Sequence, residues 1–199
     1  MAALTHQEQH IASKLYLSGL SAQEVANKLD ISLNATFYAL RKQHTTMRTS
    51  AESNLLRFNA QPLSYTLKEN LSRADEDLRL SAIMLYWAEG YKVGKGSVDF
   101  ANSDPDMALL FRRFLSEICG VRESKLRCAL YCYEGQNIPE IRAFWSTLLT
   151  IPENQFIKPY IRKKDMGVRG PRMLHGLVHV RYYDTKLLQQ ILRWIDQYR

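Results

Sequence analysis

Four segments between residues 97 and 183 alternate apolar positions with basic or aromatic ones, a spacing that puts positive charge and hydrogen-bond donors on one side of an extended chain. From Lys125 to Tyr133, Leu126, Cys128, Leu130 and Cys132 point one way, and Lys125, Arg127, Ala129 and Tyr131 the other. From Ile157 to Lys164, Ile157, Pro159 and Ile161 oppose Lys158, Tyr160, Arg162 and Lys164. Val178, Val180 and Tyr182 oppose His179, Arg181 and Tyr183, and Val98 and Phe100 oppose Ser97 and Asp99. In a single sheet, the polar face would gather Lys125, Arg127, Lys158, Arg162, Lys164 and Arg181 against one acid, Asp99. Guanidinium and ammonium groups in that arrangement suit phosphate oxygens and base edges. A face built only for solubility would normally mix both signs. Arg169 and Arg172, in a Gly- and Pro-containing connection, would extend the same chemistry along a backbone.

A second group of polar residues sits near the N-terminus. Ser21 with Glu24 three positions on makes a capping box. Val25, Ala26 and Leu29 give the helix that follows a buried stripe, and Ser32 can cap the next one after a short Asp30–Ile31 turn. A preceding helix carries Ile11, Leu15 and Leu17 and ends at Gly19. The pattern E-[VI]-A-x-x-L-x-[IV]-S resembles the helix-turn-helix of resolvases and many bacterial regulators, with Asp30 at the usual turn glycine. On that resemblance the early face of the third helix would present Ser32, Leu33, Asn34 and Tyr38 to a DNA groove, with Asn34 the best base reader, and Arg41, Lys42 and Arg48 would follow where phosphates lie. The alternative is a three-helix module that touches another protein.

A net charge of +7 fits an anionic partner without choosing between nucleic acid and an anionic membrane. Cys119, Cys128 and Cys132 are an odd set with no CxxC pair, so a reduced, cytoplasmic setting is expected. The N-terminus has no signal-peptide layout and no apolar run reaches a membrane span of roughly 20 residues, so no membrane partner is expected. His175 and His179 are four apart but straddle a loop and a strand, which does not make a helical metal pair. Trp87, Trp145 and Trp194 lie among apolar neighbours and read as core.

Helices must position these faces. Apolar spacing predicts them over Leu78–Ala88, from a cap at Asp104 with Pro105 through Ile118, over Ile138–Leu149, and at the C-terminus around Leu187 to Ile195. The polar stretch 49–76 reads as a linker with a short helix around Leu67 to Arg73. The expected class is α+β: a three-helix unit over 1–48, the linker, and a mixed domain over 77–199 with an antiparallel sheet backed by helices.

The order helix, strand, helix, strands, closing helix, opening with LSAIMLYWAEGYKVGKGS, resembles the LAGLIDADG homing-endonuclease fold across roughly residues 79 to 197. The chain is also similar to bacterial proteins that join a resolvase-like helix-turn-helix to such a domain, with a helix ending in a W/G-E-G motif and soon followed by an NSDP segment, here Asn102 to Pro105. The resemblance implies a site-specific, Mg²⁺-dependent endonuclease, a hydrolase, in which the acid before the helix-terminal glycine, Glu89 before Gly90, holds the metal. Asp99 would be a second metal ligand and Lys164 or Lys163 a cation for the transition state. One motif per chain implies a homodimer on double-stranded DNA. Met84, Tyr86 and Trp87 stand where the signature has small residues, and only Ala88 is small. A carboxylate in the last turn of a helix faces the negative end of the dipole at a cost of up to about 1 kcal/mol, which a bound cation, or Lys92 or Lys95, would reverse. The alternative is a non-catalytic transcription regulator on the same fold, and a third reading is RNA recognition by the basic, aromatic sheet.

Overall fold

Four Ser or Thr residues, each followed three positions later by an acid, start helices by exchanging hydrogen bonds with the first turn: Thr5 with Glu8, Ser21 with Glu24, Thr49 with Glu52 and Ser72 with Asp75. The computed structural model describes residues 4–92, 96–163 and 173–199. The chain is α+β: among the described residues it has eight α-helices and a four-stranded sheet, and it divides into two units, residues 1–62 and 63–199.

The first unit contains α1 (His6–Leu17), α2 (Ala22–Leu29), α3 (Leu33–Lys42) and α4 (Ser50–Ala60). Val25, Ala26, Ala39 and Leu40 are at most 1% exposed, and the small side chains at 26 and 39 let the helices approach closely. The buried residues of α1 are Gln9, Ala12, Ser13 and Tyr16, whereas Ile11 and Leu17 are exposed. Asp30 closes α2 in the left-handed region at φ 53°, ψ 44°, and Ser32 caps α3 through its oxygen, which accepts from Ala35 N at 3.2 Å. Arg48 is structural. Its guanidinium lies 4.0 Å from the Tyr16 ring centroid and donates to the Gly19 and Leu20 carbonyls, while its backbone N–H donates to the Tyr16 hydroxyl at 3.0 Å. The phosphate role expected for Arg48 is therefore replaced by one of pinning the end of α1. Arg48→Ala is expected to lower the stability of this unit by about 2 kcal/mol, read as faster amide exchange in α1.

The second unit holds α5 (Arg73–Glu89), β1 (Val98–Asn102), α6 (Pro105–Arg113) continued by a π-type turn over Phe114–Ile118, β2 (Leu126–Tyr133), α7 (Ile138–Leu149), β3 (Tyr160–Arg162), β4 (Leu177–Tyr182) and α8 (Thr185–Asp196). The sheet order is β1-β4-β2-β3. β4 is antiparallel to both β1 and β2, but β3 runs parallel to β2, so the sheet is mixed where an antiparallel one was expected. The crossover through α7 accounts for this, since a helical connection returns the chain in the same direction. One face of the sheet, including Val98, Phe100, Leu126, Cys128, Val178, Val180 and Tyr182, is sealed and forms a single core with buried residues of α5 to α8.

The stretch 49–76 is not a linker. Its first part is α4, none of whose residues is buried, so it carries no apolar stripe to read. Its second part belongs to the second unit. Ser64 and Tyr65 are buried, the Ser64 hydroxyl lies 2.8 Å from the Tyr182 hydroxyl, and Thr66 and Lys68 donate from their backbones to Gly120 and Ile118 carbonyls. The unit boundary accordingly falls after Pro62. The helix expected around Leu67 to Arg73 instead begins at Arg73, where Ser72 caps α5.

Candidate nucleic-acid interface

The strand register arranges the open face of the sheet in rows. Asp99, Arg181 and Arg127 are cross-strand partners, as are Ala101, His179 and Ala129 in the next row. Beyond them come Leu177, Tyr131 and Tyr160, then Tyr133 with Arg162. The face therefore grades from charged residues at one end to aromatic ones toward β3. Tyr160, Arg162 and Lys158 are exposed. Lys125 is exposed too, but it sits in a 3-10 turn (Glu123–Lys125) before β2 and not on the strand. Arg127 is held along the strand end by its own donors to Ser124 O at 2.8 Å and Leu126 O at 2.7 Å.

Asp99 is committed. One carboxylate oxygen accepts from Arg181 Nε at 2.7 Å, and the other lies 2.8 Å from His179 Nδ1. Burial alone would raise the Asp99 carboxyl, but the His179 hydrogen bond and the charges of His179 and Arg181 outweigh it and hold the group below its ordinary value. Asp99, the second metal ligand that the resemblance implies, has both carboxylate oxygens paired, because register places Arg181 and His179 on its two sides. Arg181 is likewise partly neutralised, so the positive character of the face comes chiefly from Arg127, Lys158 and Arg162 with neighbouring Lys125. Because the folded Asp99 is depressed, its contribution to stability is complete above the unfolded carboxylate pKa of about 3.9 and is lost as pH falls through the lower folded value. Asp99→Asn should cost on the order of 2 kcal/mol at neutral pH and blunt the loss of stability below about pH 4, in denaturant titrations across pH.

Glu89 ends α5 and is exposed. Lys92 does not pair with it. The Lys92 ammonium donates to Trp87 O at 2.8 Å and Gly90 O at 3.0 Å, supplying the cation that the negative end of α5 calls for. Gly90 is not left-handed but lies at φ −74°, ψ 148°. It is glycine because an added Cβ would meet the Tyr86 ring at 2.4 Å. Among the described residues no three His, Cys, Asp or Glu side chains cluster as metal ligands. Mg²⁺ takes one or two carboxylates with phosphate oxygens, and of the two acids expected to hold it only Glu89 is uncommitted to a basic partner among the described residues. Among the described residues, one chain therefore offers the metal a single open carboxylate of these two, Glu89. Lys163 is exposed, while Lys164, Arg169, Arg172 and Lys95 lie outside the described residues.

In the first unit, α3 exposes Asn34, Tyr38, Arg41 and Lys42, and the Lys42 ammonium stands 5.7 Å from the Tyr38 ring centroid. Ser32 is exposed as the cap of this helix, so its hydroxyl oxygen already accepts one bond. The three cysteines are buried and unpaired, and burial pushes the Cys128 thiol up to about 12, which leaves no thiolate for nucleophilic chemistry there. His175 stacks on Phe144 at 3.6 Å while His179 lies beside Tyr131, so the two histidines share no site. Among the described residues no helix is long and apolar enough to cross a membrane.

Sequence patterning missed three contributors here. The Asp99 ion pairs depend on a register between strands 80 residues apart. The Lys92 cap follows a helix end whose geometry cannot be read from spacing. The α4 helix had a legible Thr49–Glu52 capping signal that its polar composition concealed. No family model, curated protein or solved structure matches the chain.

Proposed function

We propose that this chain is a double-stranded-DNA-binding protein of the cytoplasm, a non-catalytic regulator that contacts its target with α3 of the first unit and with the open sheet face of the second. In this reading α1 to α3 act as a helix-turn-helix, with Asn34 reading base edges and Arg41 and Lys42 on phosphates. The observation that carries the proposal is the open face itself, where Arg127, Lys158 and Arg162 stand in an aromatic surface and, among the described residues, its one acid, Asp99, is paired with Arg181 and His179. Three buried, unpaired cysteines support the reduced compartment.

The homing-endonuclease reading implied by the LAGLIDADG resemblance keeps one supporting observation: Glu89 is exposed at the end of α5. Its signature helix would have to meet its copy in a homodimer through Leu80, Ser81, Met84 and Ala88, which α5 leaves at least partly exposed. Dimerisation would also raise affinity for a two-part site. The regulator reading is preferred because Asp99 is unavailable to a metal. Incubation of the protein with bound duplex DNA and Mg²⁺ is expected to leave the DNA intact. Nicking that Glu89→Ala abolishes, with affinity kept within roughly tenfold, would replace the regulator with the nuclease.

A further inference from the structure

The aromatic part of the open face forms a column. The Tyr131 ring centroid lies 4.7 Å from that of His179, with planes tilted by 32°, and 5.0 Å from that of Tyr160, with planes tilted by 38°. These separations are shorter than rings lying flat side by side could reach, so the three rings stand partly face to face across β4, β2 and β3. Asp99 fixes one end of the column through His179 Nδ1. Exposure rises along it, from half-buried His179 through Tyr131 at 39% to Tyr160 at 57%. Among the described residues β3 ends the strand order, so the last ring of the column is also its most open one.

The surroundings of that ring are basic. Lys158 and Arg162 flank Tyr160 at two residues on either side, roughly 6.6 Å along an extended chain, and both are exposed. Lys163 follows and is exposed as well, and no acid occurs between Phe156 and Lys164. A duplex presents phosphates and base edges, because its base faces are already stacked on one another. An exposed ring face beside two cations instead matches an unpaired base with a phosphate on each side.

We infer that Tyr160 is a stacking site for an unpaired nucleobase, with Lys158 and Arg162 holding the flanking phosphates, so that the sheet edge binds single-stranded nucleic acid. This inference rests on the open sheet face being the nucleic-acid surface proposed above, and adds a ligand state that duplex reading does not require. Single-stranded DNA and RNA share the chemistry, so both are used as probes.

The test compares wild type, Tyr160→Ala and Tyr160→Phe by fluorescence anisotropy on one short labelled sequence presented as single-stranded DNA, single-stranded RNA, an abasic DNA strand and duplex DNA. Thermal melting confirms that the variants fold. Tyr160→Ala is expected to weaken single-strand binding roughly ten- to hundredfold, and Tyr160→Phe to stay within about twofold. Wild type should bind the abasic strand about as weakly as Tyr160→Ala binds the intact one. The tighter of the DNA and RNA arms identifies the natural strand. Equal single-strand affinity of wild type and Tyr160→Ala, or abasic binding as tight as intact, overturns the stacking site while duplex binding leaves the proposed function standing. Failure to bind duplex or single strands overturns both, and Tyr160-dependent single-strand binding without duplex binding upholds the site and overturns the duplex reading.

Discussion

Duplex DNA bound by this chain is expected to lose roughly a thousandfold in affinity as salt rises from about 50 to about 200 mM. The figure follows from the cations that face outward. Arg41 and Lys42 on α3, with Lys125, Arg127, Lys158 and Arg162 on or beside the sheet, are exposed or half-exposed. If each neutralises one phosphate, the slope of log affinity against log salt is about −0.9 per contact, or roughly −5 in all, and a fourfold rise in salt then costs about three decades. Arg181 is left out because the Asp99 charge balances it, and Arg48 because its guanidinium is packed on the Tyr16 ring. Replacing Lys158 and Arg162 together by Ala should lower the slope by about 2, whereas Arg181→Ala should change it little. A titration series at several salt concentrations reads both. A flat dependence would mean that the outward cations do not meet phosphates.

Gly90→Ala should destabilise the second unit on the order of 3 kcal/mol. The added Cβ would fall 2.4 Å from Tyr86 Cδ2 and 2.5 Å from the Tyr86 carbonyl oxygen. Tyr86 cannot yield. Its ring is fully buried, stacks on Phe111 with centroids 5.5 Å apart, and carries a hydroxyl that donates to Tyr91 O at 2.7 Å. Gly135 is the control, since a Cβ there meets nothing within 4 Å and only its φ of 85° resists substitution. Gly135→Ala should cost about 1 kcal/mol. Denaturant unfolding followed by tryptophan fluorescence compares the two. Equal costs would mean that the α5 terminus has room to shift.

Local chemistry was legible in the sequence where a residue acts on its near neighbours. Ser21 and Glu24 cap α2, Asp30 takes the left-handed turn, Asp104 and Pro105 start α6, and the stripes of α7 and α8 fall on their helices. The period-two faces of β1, β2 and β4 were also legible, because a strand with one sealed face must alternate, whereas β3 is exposed throughout and leaves Ile161, expected on the sealed face, open. What escaped depends on partners distant in sequence. Ser64 meets Tyr182 across 118 positions, so nothing near Ser64 marks it as core. Asp99 looked like a lone acid among cations until register set Arg181 and His179 beside it. The parallel pairing of β3 could not be read because alternation is the same in either direction.

The central claim is that α3 and the open sheet face carry the DNA. Lysine acylation footprinting at low salt, with and without duplex DNA, tests it residue by residue. Protection of Lys42, Lys125 and Lys158 is predicted, with Lys14 and the Asp75-paired Lys68 reacting equally in both samples. Unchanged reactivity at Lys42, Lys125 and Lys158 in a sample that binds DNA would contradict the account.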